Sequence, residues 1–141
     1  MNMEFSATLA GYITARIAEF EQIPEARVAE LRPLSEWVKK RQSAQSLTLL
    51  NFICTHNSRR SHLAQIWAGA AAVHFGLKDV TTFSGGTEAT AFHPNAVAAI
   101  RRCGFDVAIE QNPSASSGDN PIYVVRTSPD QSPWRLSLIH I

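Results

Sequence analysis

The eight residues Cys54-Thr55-His56-Asn57-Ser58-Arg59-Arg60-Ser61 constrain this chain more than any other stretch, because they join a short apolar run to an amphipathic one. Upstream, Leu49-Leu50-Asn51-Phe52-Ile53 has the form of a strand covered on both faces. Downstream, Leu63, Ile66, Trp67, Ala70 and Val73 recur at helical spacing, and Gly76 stands where a helix C′ glycine would stand. The pattern C-x5-R-S therefore lies at a strand-to-helix junction. Five residues between cysteine and arginine can curl until successive N–H groups point at one centre, a cradle for a tetrahedral oxyanion. A helix starting near Arg60 turns its positive dipole end on the same point. Arg60 can grip two anion oxygens with its planar fork, which a lysine cannot do.

The same field acts on sulfur. A free thiol has a pKa of ~8.5, and a helix N-terminus beside cations lowers it to about 3.5–7.5, so Cys54 is expected to be a thiolate nucleophile. Ser61 is placed to hydrogen-bond that sulfur and steady it as a leaving group, and Asn57 tolerates the left-handed backbone of a sharp bend. Cys54, Arg60 and Ser61 form the expected catalytic group; Thr55, His56, Asn57, Ser58 and Arg59 form the expected substrate-binding shell. The bland alternative for Cys54 is a buried core cysteine, and the loop context favours the nucleophile. Cys103, on an apolar face with Val97 and Ile100, reads as packing. Cys54, His56 and His62 lack the spacing of a structural zinc site, so neither metal nor cofactor is expected. His62 reads as a surface or packing residue, and Trp67 and Phe75 as core. His93, before Pro94, either caps a helix or lies at the pocket rim.

Farther along, Val80 to Ser84 reads as a second strand running into Gly85-Gly86-Thr87, and His93-Pro94 opens a helix that Gly104 ends. Strand, loop, helix, repeated, is the pattern of βαβ units and a parallel sheet, which predicts a three-layer α/β domain. Residues 112–120 are loop-like, Ile122 to Val125 forms one more strand, and 127–133 a turn. Before the motif, residues 4–44 read as helical. Leu9, Ile13, Ile17 and Phe20 share one face; Pro24 opens a second helix, along which Val28, Leu31, Leu34, Trp37 and Val38 continue an apolar face, with Pro33 as a break or restart. That face needs a partner, either the rest of the domain or another subunit.

Three segments follow: a helical extension at 1–46, an α/β domain at 47–135 that carries the cysteine loop, and the six residues 136–141. The last six match a translated sequencing-library adapter and are set aside as a scar; the other reading is a genuine short strand. On the scar reading the domain is incomplete at its C-terminus and the natural chain continues beyond Arg135. A chain of 141 residues fits one domain that buries roughly 68–70% of its unfolded surface. Thirteen basic against twelve acidic side chains give no reason to expect nucleic acid or an anionic membrane as partner. There is no signal peptide, no apolar window of ~18 residues, and no disulfide framework in two cysteines, which together point to a cytoplasmic home.

From Leu49 to about Val107 the chain resembles the low-molecular-weight protein tyrosine phosphatase superfamily, which includes thioredoxin-coupled arsenate reductases. Cys54, Asn57, Arg60 and Ser61 fall on that family's C-x-x-N-x-x-R-S positions, Ser84-Gly85-Gly86-Thr87-Glu88 resembles its Ser-Ala-Gly-Thr strand end, and residues 93–106 resemble its following helix. The resemblance implies a cysteine-dependent phosphatase or arsenate reductase, with a phosphomonoester or arsenate as substrate and thioredoxin or another thiol reductant as partner. A non-catalytic anion-binding or thiol module is the alternative. His56 replaces a frequent glycine and Arg59 a frequent cysteine. The family's general acid lies in a late Asp-Pro motif; here Asp130 is followed by Gln131, and no cysteine follows Cys103 to serve as a resolving thiol.

Overall fold

The computed structural model describes residues 4–88, 91–110 and 121–136. Strand β1 (Thr48–Cys54) pairs in parallel with β2 (Val80–Gly86), Thr48 opposite Val80 and Cys54 opposite Gly86. The crossover between them is helix α3 (Arg60–His74), which ends with Gly76 at C′, as its sequence requires. After β2 comes α4 (Pro94–Cys103), then a second sheet. There β3 (Asp106–Glu110) pairs antiparallel with β4 (Ile122–Arg126), and β4 with β5 (Trp134–Leu136). The result is a mixed α/β fold with a parallel two-stranded sheet, compatible with the expected three-layer arrangement. The strand read from Ile122 onward lies in the antiparallel sheet, not beside β1 and β2.

At the N-terminus, α1 (Ala7–Ile17) is capped by Ser6, whose hydroxyl accepts the Leu9 N–H and donates to the Gly104 carbonyl. Gly104 closes α4 at φ 106°, a left-handed conformation, and Leu9 passes so close that a side chain here would collide with its backbone. Leu9 and Ile13 thereby enter one core with Ile66 and Ala70 of α3, Val97 and Ile100 of α4, and Val125 and Leu136 of the antiparallel sheet. Gly69 leaves room for the Trp134 ring, which seats that sheet against α3. So α1 finds its partner in the rest of the domain.

Helix α2 (Glu25–Ser43) does not: it has no buried residue, and it runs unbroken through Pro33 where the sequence suggested a break. The carbonyl that proline leaves unpaired faces solvent on an exposed helix, so the interruption is local. Two further expectations are corrected. The β1 run is covered on one face only: Leu50 and Phe52 turn toward α3, while Leu49 and Ile53 are 52% and 57% exposed and Phe83 of β2 is 40% exposed. No described element lies over that second face. Phe75, expected in the core, follows the last turn of α3 and points outward, whereas Trp67 is half-buried against the core between Tyr12 and Phe105.

Leu136, the first residue of the segment set aside at 136–141, pairs with Tyr123 and is buried; residues 137–141 and the loop read at 112–120 lie outside the described residues. No described helix is long and apolar enough to cross a membrane.

Candidate functional site

Strand β1 delivers Cys54 as its last residue, opposite Gly86. The chain then turns through Asn57 at φ 45°, the left-handed bend its residue type permits. Two carbonyls of the loop are turned outward. That of Thr55 accepts the Glu88 N–H at 2.8 Å and the Thr87 hydroxyl at 3.2 Å, and that of Ser58 accepts the His93 N–H at 2.9 Å. The Ser58 hydroxyl donates to the Ala91 carbonyl at 2.7 Å. With carbonyls drawn outward, N–H groups face inward, and those of Asn57, Ser58 and Ser61 reach the Cys54 sulfur. Gly86 permits the close passage, since a Cβ there would stand 2.7 Å from the Asn57 nitrogen.

The Ser61 hydroxyl lies 3.1 Å from the Cys54 sulfur and donates to Asn57 Oδ1 at 2.7 Å. Partial burial pushes the Cys54 thiol up. The Ser61 hydroxyl and the three main-chain N–H groups outweigh that push and bring the thiol down to about 7. In front of the sulfur is a cavity of about 600 Å³ lined by Cys54, His56, Ser58, Arg59, Arg60 and His93. Arg59 caps α3 and Arg60 is its first residue, so the helix N-terminus opens on the same space. Among the described residues neither arginine has a carboxylate within ion-pair distance.

Of the residues expected at the site, Cys54, His56, Ser58, Arg59 and Arg60 line the cavity together. Thr55, Asn57 and Ser61 stand outside that lining: Thr55 anchors the loop through its carbonyl, and Asn57 and Ser61 are buried and hold the sulfur from behind. His93 does both things its position allowed, lining the cavity and capping α4 through Nδ1, which accepts the Asn95 N–H at 3.1 Å.

Two partnerships were not readable from the sequence. His62 is buried, 3.1 Å from the Ser84 hydroxyl through Nδ1 and edge-on to Phe92. Burial holds its imidazole down to about 4, against a hydrogen bond to the Asn57 main chain that acts the other way. Glu88 meets His56 Nε2 at 2.9 Å. Both partnerships join residues more than twenty positions apart, so no local pattern signals them. Among the described residues no group of His, Cys, Asp and Glu is arranged to hold a metal ion. A second cavity of about 330 Å³, between α1 and α3, is lined mainly by apolar and aromatic side chains and contains no cysteine.

Over 57 residues the chain is 42% identical to an arsenate reductase of Bacillus licheniformis. The match is partial. It covers 40% of this chain and 38% of that protein, so the chain spans well under half the length of the relative it matches. The likeness is confined to that stretch. No family model matches, and no solved structure matches.

Proposed function

We propose that this chain acts on a tetrahedral oxyanion, arsenate or a phosphomonoester, through the thiolate of Cys54. The observation that carries the reading is the Cys54 sulfur itself, ringed by Ser61 and inward N–H groups, brought down to about 7, and facing a cavity with two arginines. Arg60 holds two oxygens of the anion with its fork, and the helix N-terminus takes a third. Arg59 sits at the rim. On a phosphomonoester the sulfur–phosphorus bond forms as the ester oxygen departs, and water then releases phosphate while Cys54 leaves as a thiolate steadied by Ser61.

On arsenate the sulfur–arsenic bond forms as one oxygen departs as water. An external thiol, from thioredoxin or another reductant, then attacks the Cys54 sulfur. A disulfide forms and arsenic leaves with the electron pair as arsenite. The partial likeness to an arsenate reductase favours this second course. No metal or cofactor enters either course.

Arsenate or phosphate should protect Cys54 from iodoacetamide, and turnover should vanish in Cys54→Ser. Arg60→Lys should weaken protection by about tenfold or more, the worth of one charge-assisted bond, while Arg59→Lys changes it little. Equal losses in the two arginine variants would mean that the loop register is misread. Protection with no Cys54-dependent turnover on either substrate would instead identify an anion-binding module.

A further inference from the structure

Attack by sulfur leaves the departing oxygen on the opposite side of arsenic or phosphorus, and therefore at the mouth of the cavity. That oxygen needs a proton unless it is already a good leaving group. Besides Cys54 and Ser58 the cavity is lined by His56, His93, Arg59 and Arg60. The arginines cannot release a proton near neutral pH. His93 is occupied: its Nδ1 accepts the Asn95 N–H as the cap of α4. Asp130, the one acid beyond β4 in the described residues, does not line the cavity.

His56 differs from all of these. Its Nε2 meets the Glu88 carboxylate at 2.9 Å, and Glu88 is tied through its own N–H to the Thr55 carbonyl at 2.8 Å, one residue from Cys54. The end of β2 thus brings a carboxylate to an imidazole two positions beyond the sulfur. An exposed ion pair of this kind elsewhere on the surface is worth about 0–1 kcal/mol and would need no function. Here its imidazole lines the cavity that Cys54 faces. A carboxylate on Nε2 fixes the orientation of the ring and leaves Nδ1 to act, the division of labour by which a buried acid orients a catalytic histidine. The two side chains are 55% and 61% exposed, so substrate can reach the ring.

We propose that His56, oriented by Glu88, donates the proton to the departing oxygen. As the bond to sulfur forms, the imidazolium gives up its Nδ1 proton, and arsenate loses water or a phosphomonoester loses its alcohol. In the phosphatase course the neutral imidazole then takes a proton from the water that attacks phosphocysteine. That step regenerates the imidazolium as the thiolate leaves. The role rests on the reading of Cys54 as the nucleophile.

The test uses the whole chain and three assays: para-nitrophenyl phosphate, an alkyl phosphate, and arsenate reduction with excess dithiothreitol. His56→Gln should slow the alkyl phosphate and arsenate reactions by about 10²–10⁴-fold, and the nitrophenyl reaction at least tenfold less. Glu88→Gln should show the same ranking with smaller losses, and phosphate protection of Cys54 from alkylation should persist in both variants. Where only arsenate is turned over, the loss with protection retained carries the same meaning. His56→Asn and melting curves distinguish lost chemistry from lost folding. Cys54-dependent turnover that His56→Gln leaves intact, or slows equally on both phosphate esters, overturns the proton role alone. Absence of any Cys54-dependent turnover overturns the nucleophile reading and this role with it.

Discussion

The hydroxyl of Ser61 has one proton and two neighbours that want it, the Cys54 sulfur at 3.1 Å and Asn57 Oδ1 at 2.7 Å. When Cys54 is a thiol it can donate to Ser61, which donates to Asn57. When it ionises, the Ser61 proton turns to the sulfur. Replacing Ser61 by Ala removes the largest of the bonds that hold the thiol down, so its pKa rises from about 7. A rise of about one unit leaves roughly a tenth of the sulfur ionised at pH 7, and iodoacetamide labelling of Cys54 should slow accordingly. In the unaltered chain Cys54 should label well ahead of Cys103, which packs against the core. His62 supplies a second pH dependence. Its imidazole is held at about 4, below its usual 6.5, so the unfolded chain binds a proton more readily between those values. Stability from this residue is complete above pH 6.5 and is lost as pH falls toward 4, by up to about 3 kcal/mol. Denaturation at pH 7 and 4.5 should show a smaller acid loss in His62→Gln. The place of Cys54 at the end of a strand, the bend at Asn57 and the cap at His93 were legible because each is a local pairing of residue type and position. His62 was not, because its meaning comes from Ser84, on a strand that follows later.

Elements differ in how firmly they are held. The loop rests on the end of β2 at Gly86, and a methyl group there would meet the Asn57 backbone at 2.7 Å. Gly86→Ala should therefore cost about 1–3 kcal/mol and also slow Cys54 alkylation, as the loop lifts from the strand. A melt with unchanged alkylation would show that the loop accommodates the methyl without losing its inward N–H groups. Helix α2 lies at the other extreme, with no buried residue and a proline within it. Its amides should exchange with solvent far faster than those of α3, whose Ile66 and Ala70 are in the core. Sequence periodicity found α1, α3, α4 and the parallel pair of strands. It missed β3, because Asp106-Val107-Ala108-Ile109-Glu110 begins and ends on acids and has an exposed Ile109, a weak signal for a strand paired at a distance. It overstated the cover of β1, because an apolar run looks the same whether one face or both meet another layer.

Across the whole molecule thirteen basic and twelve acidic side chains nearly cancel, so the pull on an anion is local to Arg59, Arg60 and the first turn of α3. The thiol, by contrast, owes its acidity to Ser61 and to main-chain N–H groups at hydrogen-bonding range. Dissolved ions act differently on the two. Screening has a length of about 8 Å at physiological ionic strength and about 3 Å at 1 M, which weakens the field of exposed arginines and leaves a direct hydrogen bond intact. Adding salt should loosen phosphate or arsenate from the cavity while the alkylation rate of unoccupied Cys54, measured with a neutral reagent, stays nearly level. Ionic strength thus governs how often the site is filled, and not how ready the sulfur is when it is.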